Sequence, residues 1–520
     1  MLYILLLITL SAAVASASLR YMHGFQLNSY KFAEHKSYLC RNAGPLCLLA
    51  ILAALCGLCS LLNELWSVMI SSVICILYAA EAKPIPKKRA KKPLVYTARV
   101  KRMLITQAGI VIAFVMLFAI FMPKSLYPLG GAVILLTTPY LNLLSNVINS
   151  PIEAMIRKYY INDAKKMLAS HKNLKVVGIT GSYGKTGTKY ALATLLSHKY
   201  DVLMTPASYN TPMGVTITVR SSLKATTEIF VCEMGAKYVG DIKELCDLVE
   251  PDIGIITSVG AQHLETFGSL DRIKKTKFEL SDYLIPKGGK VAVGFDNENI
   301  AAELSERGDD GFIKCGLSEG SDYKISNVRA DESGTSFTLT LKNGESANLT
   351  VALLGAHNVS NIACAAAVAH TLGMTLDEIR IAARRIESAP HRLQIRKRGR
   401  DILIDDAYNA NPAGTRAALD ALSLFDAERI IVTPGMIELG SESDEFNRQL
   451  GRNAAAVCSY IVLVGERQTR PIYEGAIETG FDEKRIRIFE RVGDAIDFAF
   501  SVPSDKRRAV LIENDLPDNY

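Results

Sequence analysis

The sequence predicts a multi-pass α-helical membrane segment followed by two α/β domains. The first is a parallel sheet with a small antiparallel insert, and the second is smaller and Rossmann-like. Three observations lead there. Apolar stretches of bilayer length crowd into the first 150 of 520 residues. Charge is divided along the chain: residues 1–170 hold 18 Lys/Arg against 5 Asp/Glu, and the rest hold 41 against 48. From Leu174 onward, short β-branched runs alternate with segments of helical period, the pattern of a helix-covered parallel sheet.

Five stretches are expected to span or nearly span a bilayer: 1–19, 43–62, 65–80, 103–122 and 126–148. The first lacks a basic leader and runs on into more apolar sequence, so it reads as a retained span rather than a cleaved signal. The run 83–102 carries nine Lys/Arg, and Arg20, Lys31, Lys36 and Arg41 precede the second span. The positive-inside rule places both on the cytoplasmic side. With five spans the amino terminus falls outside, and everything after residue 150 lies in the cytoplasm, giving a multi-pass protein of the cytoplasmic membrane. Residues 151–173 read as an amphipathic linker helix at the membrane lipid surface.

Ten cysteines are scattered without a pairing or zinc pattern. Cys56-Gly-Leu-Cys59 lies inside an apolar run, where small buried packing is the expected role. The mildly acidic body excludes a nucleic-acid binder, which needs a basic soluble face.

The first α/β domain is placed at 174–388. Strands are expected at 175–180, 228–233, 253–259 and 290–295, with helices at 185–198 and 269–284. Residues 322–353 alternate with turn signals and read as the antiparallel insert. Helices follow at 358–372 and 375–386. The second domain, 389–520, has strands expected at 401–405, 429–433, 459–464, 486–489 and 508–513.

The stretch "VVGITGSYGKTGTKYALATLL" begins at Val176. A strand, a glycine turn and Lys-Thr opening a helix form a phosphate cradle, because backbone N–H groups and the helix N-terminus converge there. That makes the domain a P-loop ATPase domain. Thr180, Gly181, Ser182, Gly184, Lys185 and Thr186 are its contacts, with Lys185 on the terminal phosphates and the Thr186 hydroxyl on Mg²⁺. The first glycine is Gly178, one place earlier than the strict spacing requires.

Thr180-Gly181-x-x-Gly184-Lys185-Thr186 resembles the Mur ligases, which add amino acids to the peptidoglycan precursor. Later segments extend the resemblance over about 175–445, nearest to the branch that adds D-alanyl-D-alanine. They are "TPASYNTPMGVTITVR" from Thr205, "VCEMGAKYVGDI" from Val231, "TSVGAQHLETFGSLDRIKKTKFEL" from Thr257, "LLGAHNVSNIACAAAVA" from Leu353, "LIDDAYNANPAG" from Leu403 and, loosely, "GMIELGSES" from Gly435.

The resemblance implies an ATP- and Mg²⁺-dependent carbon–nitrogen ligase working through an acyl phosphate. It places Glu233, His263, Thr186 and a carbamylated Lys277 at the metal sites. Lys185, Lys277 and His263 carry the catalysis. His357, Asn358 and Asn361 lie on the adenine side, Arg392 on the ATP phosphates, and Asp406 on the ribose or a metal-bound water. Asn210, Tyr408 and Asn411 lie toward the substrate. A muropeptide-type or lipid-linked cell-wall precursor and an amino acid or dipeptide are the implied partners.

Three departures mark the pattern. Membrane spans stand where these ligases carry a UDP-gripping domain. Gly435 replaces an acidic residue, and "LIENDLPDNY" stands where a Lys-Gly-Ser loop is expected. Two other classes fit parts of the sequence: a P-loop ATPase coupled to its own spans, and a Mur-like scaffold without catalysis.

Overall fold

A computed structural model describes residues 2–28, 30–59, 63–83, 93–262, 264–355, 358–407, 410–437, 439 and 442–514. The chain divides into two compact units, 1–159 and 160–515.

The first unit is helical: α1 (Leu2–Leu27), α2 (Phe32–Asn42), α3 (Gly44–Leu58), α4 (Glu64–Glu81), α5 (Ala98–Phe121) and α6 (Tyr127–Ser170). Starts follow local capping chemistry. The Asn63 side chain accepts from Trp66 N at the head of α4, and Thr97 accepts from Val100 N at the head of α5. Small residues let the helices approach closely: Ala13, Ala17, Ala50, Ala53 and Cys75 are buried around Tyr21 and Tyr78. Tyr78 donates to the Leu135 carbonyl at 3.1 Å. Large apolar side chains face outward instead, with Ile105, Ile120 and Phe121 at least 70% exposed. A water-soluble helix would hide them; a bilayer would cover them.

Four of these helices are long and apolar enough to cross a membrane, among the described residues: α1, α4, α5 and the stretch Lys124–Ser170. The remaining expected span, 43–62, falls on α3, which has 15 residues and is shorter than the others. The expected break near residue 150 is absent. The last span and the linker form one helix, α6, with Pro139 and Pro151 inside it. All ten cysteines are free; Cys56 is half-buried and Cys59 is exposed rather than packed away.

The second unit begins with the end of α6, where Ala164 and Leu168 join its core. Its first sheet contains β1 (Lys175–Thr180), β2 (Val202–Met204), β3 (Ile229–Glu233), β4 (Ile253–Ile256), β5 (Lys290–Gly294), β6 (Phe312–Gly316), β7 (Tyr323–Asp331), β8 (Gly334–Leu341) and β9 (Ser346–Val351). The order is β2-β3-β1-β4-β5-β6-β7-β8-β9. Strands β1 to β6 are parallel, and β1 and β3 are near-continuous apolar runs because both faces are covered. The antiparallel hairpins are no separate insert. They extend the same sheet through a parallel β6–β7 pairing, Cys315 opposite Tyr323.

One face is covered by α7 (Lys185–Leu196) together with two later helices, Val359–Thr371 and Leu376–Ala383. The other face holds α8 (Pro212–Ser222), α9 (Asp241–Val249), α11 (Leu270–Leu284) and α12 (Glu298–Arg307); the short α10 (Leu264–Phe267) precedes α11. The two later helices are α13 and α14.

The second sheet has the order β10-β11-β15-β12-β13-β14. It comprises β10 (Gln394–Arg398), β11 (Asp401–Asp406), β12 (Glu428–Thr433), β13 (Tyr460–Val464), β14 (Ile486–Phe489) and β15 (Arg508–Glu513). Only the edge strand β10 runs antiparallel. The open parallel arrangement brings the C-terminal ends of β11, β15 and β12 together, the edge at which such sheets bind ligands.

Candidate active site

The loop 181–184 leaves the end of β1 and enters α7. Its glycines are required by geometry. Gly184 has φ +81°, and a Cβ there would lie 2.6 Å from the Asn361 amide. Gly181 has φ +144° and sits against the Thr257 hydroxyl. Neighbouring strand ends brace the loop. Ser182 N donates to Ser258 O at 2.7 Å, and its hydroxyl donates to Gly260 O at 3.0 Å. Thr180 donates to Met234 O at 3.1 Å.

Lys185 reaches back across the loop and donates to Gly181 O at 2.6 Å and Ser182 O at 3.1 Å. Burial pushes its ammonium down to about 8, with Arg392 adding to the shift and Glu233 opposing it. Thr186, next along, donates its hydroxyl to Glu233 Oε2 at 3.1 Å.

Glu233, at the end of β3, is the focus of the site and only 2% exposed. Asn210 donates to its Oε1 at 3.1 Å. Lys189, wholly buried one turn after Lys185, pairs with its Oε2 at 3.0 Å and also donates to Ala207 O at 2.7 Å. Lys189 is absent from the sequence expectations. Its only signal is a second lysine four residues after Lys185, on a helix whose neighbours are apolar.

Lys277 is buried on α11, and burial, reinforced by the charge of Lys185, pushes it down to about 7. Its motif partner Glu279 serves elsewhere. The Glu279 carboxylate accepts from Gly240 N at 2.6 Å and Lys243 N at 3.0 Å, holding the start of α9.

Asn358 precedes α13 and donates to Leu354 O at 3.1 Å, while Asn361 faces Gly184. Asp296 ties this region down. It accepts from Leu317 N, Ser318 N and the Ser318 hydroxyl, and from the Ser360 hydroxyl at 2.6 Å.

From the second sheet, Arg392 acts electrostatically on Lys185 and on Asp406. Asp406 ends β11 and accepts from Leu393 N at 3.1 Å. Asn411 is engaged in capping α15 (Pro412–Ser423), accepting from Gly414 N at 2.9 Å. That bond fixes the Asn411 side chain at the head of α15. His263, His357 and Tyr408 lie outside the described residues.

Thr186 and Glu233 supply the hard oxygen donors that suit Mg²⁺, and the loop's turned-in backbone suits a polyphosphate. Among the described residues no group of three His, Cys, Asp or Glu gathers for a metal.

The pattern defining the Mur ligase middle domain matches residues 179–369, and that of the Mur ligase glutamate ligase domain matches 391–513. The chain belongs to the Mur ligase family. Among this chain's relatives, UDP-N-acetylmuramoyl-tripeptide--D-alanyl-D-alanine ligase of Escherichia coli (strain K12) is 33% identical over 298 residues, 56% of this chain and 65% of that protein. Its counterpart in Mycobacterium bovis is 34% identical over 323 residues, 59% of this chain and 62% of that one. The chain thus spans somewhat less than two thirds of the length of these relatives. A MurF structure from Acinetobacter baumannii superposes with a TM-score of 0.63 at 27% identity, covering 69% of this chain and 78% of that one. MurF from Thermotoga maritima, solved in complex with ADP, gives 0.60 at 27% identity, covering 69% and 80%. The two family patterns cover the first and second α/β domains of this family member.

Proposed function

We propose that the chain is an ATP-dependent amide-bond ligase of peptidoglycan precursor synthesis, working at the cytoplasmic face of the membrane. The observation that carries this reading is the convergence of Thr186, Lys189 and Asn210 on one buried carboxylate, Glu233, beside Lys185 and within the electrostatic reach of Arg392. A carboxylate is a poor electrophile. Transfer of the γ-phosphoryl group of ATP to its oxygen gives an acyl phosphate; an amine then forms the C–N bond, inorganic phosphate leaves, and the amine loses a proton. Lys185 and the loop N–H groups would stabilise the charge that builds on the phosphoryl oxygens. Mg²⁺, held by Thr186 and Glu233, would add charge neutralisation there.

The substrate classes follow from the relatives' names: a muropeptide-type precursor and an amino acid or dipeptide. The apolar helices α1, α4, α5 and α6 and the basic run 83–102 support action at a bilayer, where the precursor would be UDP-linked or lipid-linked. The test is ADP release by the full chain in detergent, screened over D- and L-amino acids and dipeptides with UDP-linked and undecaprenyl-linked muropeptide. Release that requires one amine and one acceptor is expected. Release indifferent to every amine would instead favour an ATPase coupled to its own spans, and no release at all a scaffold.

Lys277 supplies a sharper check. A lysine with its ammonium pushed down to about 7 is largely a neutral amine at pH 8, the form that reacts with CO₂ to give a carbamate. Stripping CO₂ from the assay should lower activity, and more so below pH 7, where the amine protonates. Lys277→Ala should be nearly inactive and indifferent to CO₂. Full wild-type turnover without CO₂ would remove the carbamate from the mechanism.

A further inference from the structure

At the end of β15, Glu513 stands opposite Asp406 on the neighbouring parallel strand. It is 1% exposed, and its Oε2 is buried with no hydrogen-bond partner. Two carboxyl side chains placed side by side, one wholly buried and the other half-buried, resist ionising together. We infer that Glu513 is a positioning residue for Asp406: it keeps its proton and donates it into a hydrogen bond that holds the Asp406 carboxylate in one orientation.

Burial raises the pKa of both groups, and the charge of Asp406 adds to the rise at Glu513. The Leu393 N–H holds Asp406 Oδ1 from one side, and the neighbouring strand places Glu513 beside it. Besides each other, the charged groups facing the pair are Arg392, which favours the ionised form, and Asp405, which opposes it. Asp405 is itself paired with His391 at 2.9 Å and Arg396 at 3.1 Å. The next residue extends the bracing. Asn514 donates to Gly435 O at 2.6 Å, accepts from Ala410 N at 3.3 Å and donates its own N–H to Asp406 O at 3.2 Å. Glu513-Asn514 thus fastens the ends of β11 and β12 and the loop after β11.

This role rests on the nucleotide-binding reading of Asp406, so the experiment separates the two. The full chain in detergent is compared with Glu513→Gln, which keeps a donor, and Glu513→Met, which keeps the volume without one. Asp406→Asn serves as the control. Thermal melts establish folding. ADP affinity should be retained in Glu513→Gln and weakened about tenfold in Glu513→Met. The infrared spectrum of the wild type at neutral pH should show a protonated carboxylic acid band that both Glu513 variants lose and that Asp406→Asn shifts. Equal ADP affinity in the Gln and Met variants, or a spectrum without that band, overturns the inference. If the wild type itself binds no ADP, the nucleotide reading fails, and the infrared band alone decides the pair.

Discussion

In a Lys185→Ala variant, amine-dependent ADP release should fall by about 100- to 1,000-fold, the scale set by losing one preorganised donor at a transition state. The fold should survive. Among the described residues the Lys185 ammonium bonds only to two loop carbonyls, Gly181 O and Ser182 O, so its removal exposes no buried charge there. The loss should appear in kcat more than in the KM for the amine, because the amine is handled elsewhere. In the wild type, ADP affinity should decline as pH rises through about 8, where this lysine gives up its charge. Unchanged turnover in Lys185→Ala would sink the phosphate role of the loop.

Glu233→Ala should combine a functional with a structural loss. Removing the carboxylate takes away the acceptor of Thr186 and Asn210 and leaves the Lys189 ammonium buried without its counter-charge. Breaking such a buried pair from one side costs about 3–5 kcal/mol. Lys189→Met, made alone, strands Glu233 in the same way. The double variant Glu233→Ala/Lys189→Met should regain much of the stability and none of the activity, because the charges disappear together while the metal-side oxygen stays lost. Denaturant unfolding followed by circular dichroism reads the first, and ADP release the second. Strict additivity of the two single losses would show that Lys189 and Glu233 do not act as a pair.

Much of this architecture is legible in the residues. The buried strand at 175–180 announces itself by continuous β-branched composition, and the glycine turn and Lys-Thr by their spacing. Elements that depend on distant partners are harder to read. Strand β2 is three residues at a sheet edge, and β10 is mostly charged, so neither carries an apolar pattern. The hairpins at 323–351 alternate cleanly, but nothing local shows that β7 pairs with β6 and lengthens the main sheet. Pro151 suggests a break that α6 does not make. Among the site residues, Thr186, Asn210 and Glu233 meet, with Lys185 coupled electrostatically to Glu233 and Lys277 to Lys185. Lys189 and Glu513 escape a sequence reading because an isolated charge on a helix or at a strand end ordinarily faces water. Only the fold shows that these two do not.

The run of alanines in α13 has a mechanical consequence. Ala363, Ala365, Ala366, Ala367 and Ala369 are buried, so the helix is wedged on all sides by neighbours at minimal separation. A rod gripped that closely can neither roll nor slide. Whatever settles against its Asn358 and Asn361 end meets a fixed anvil.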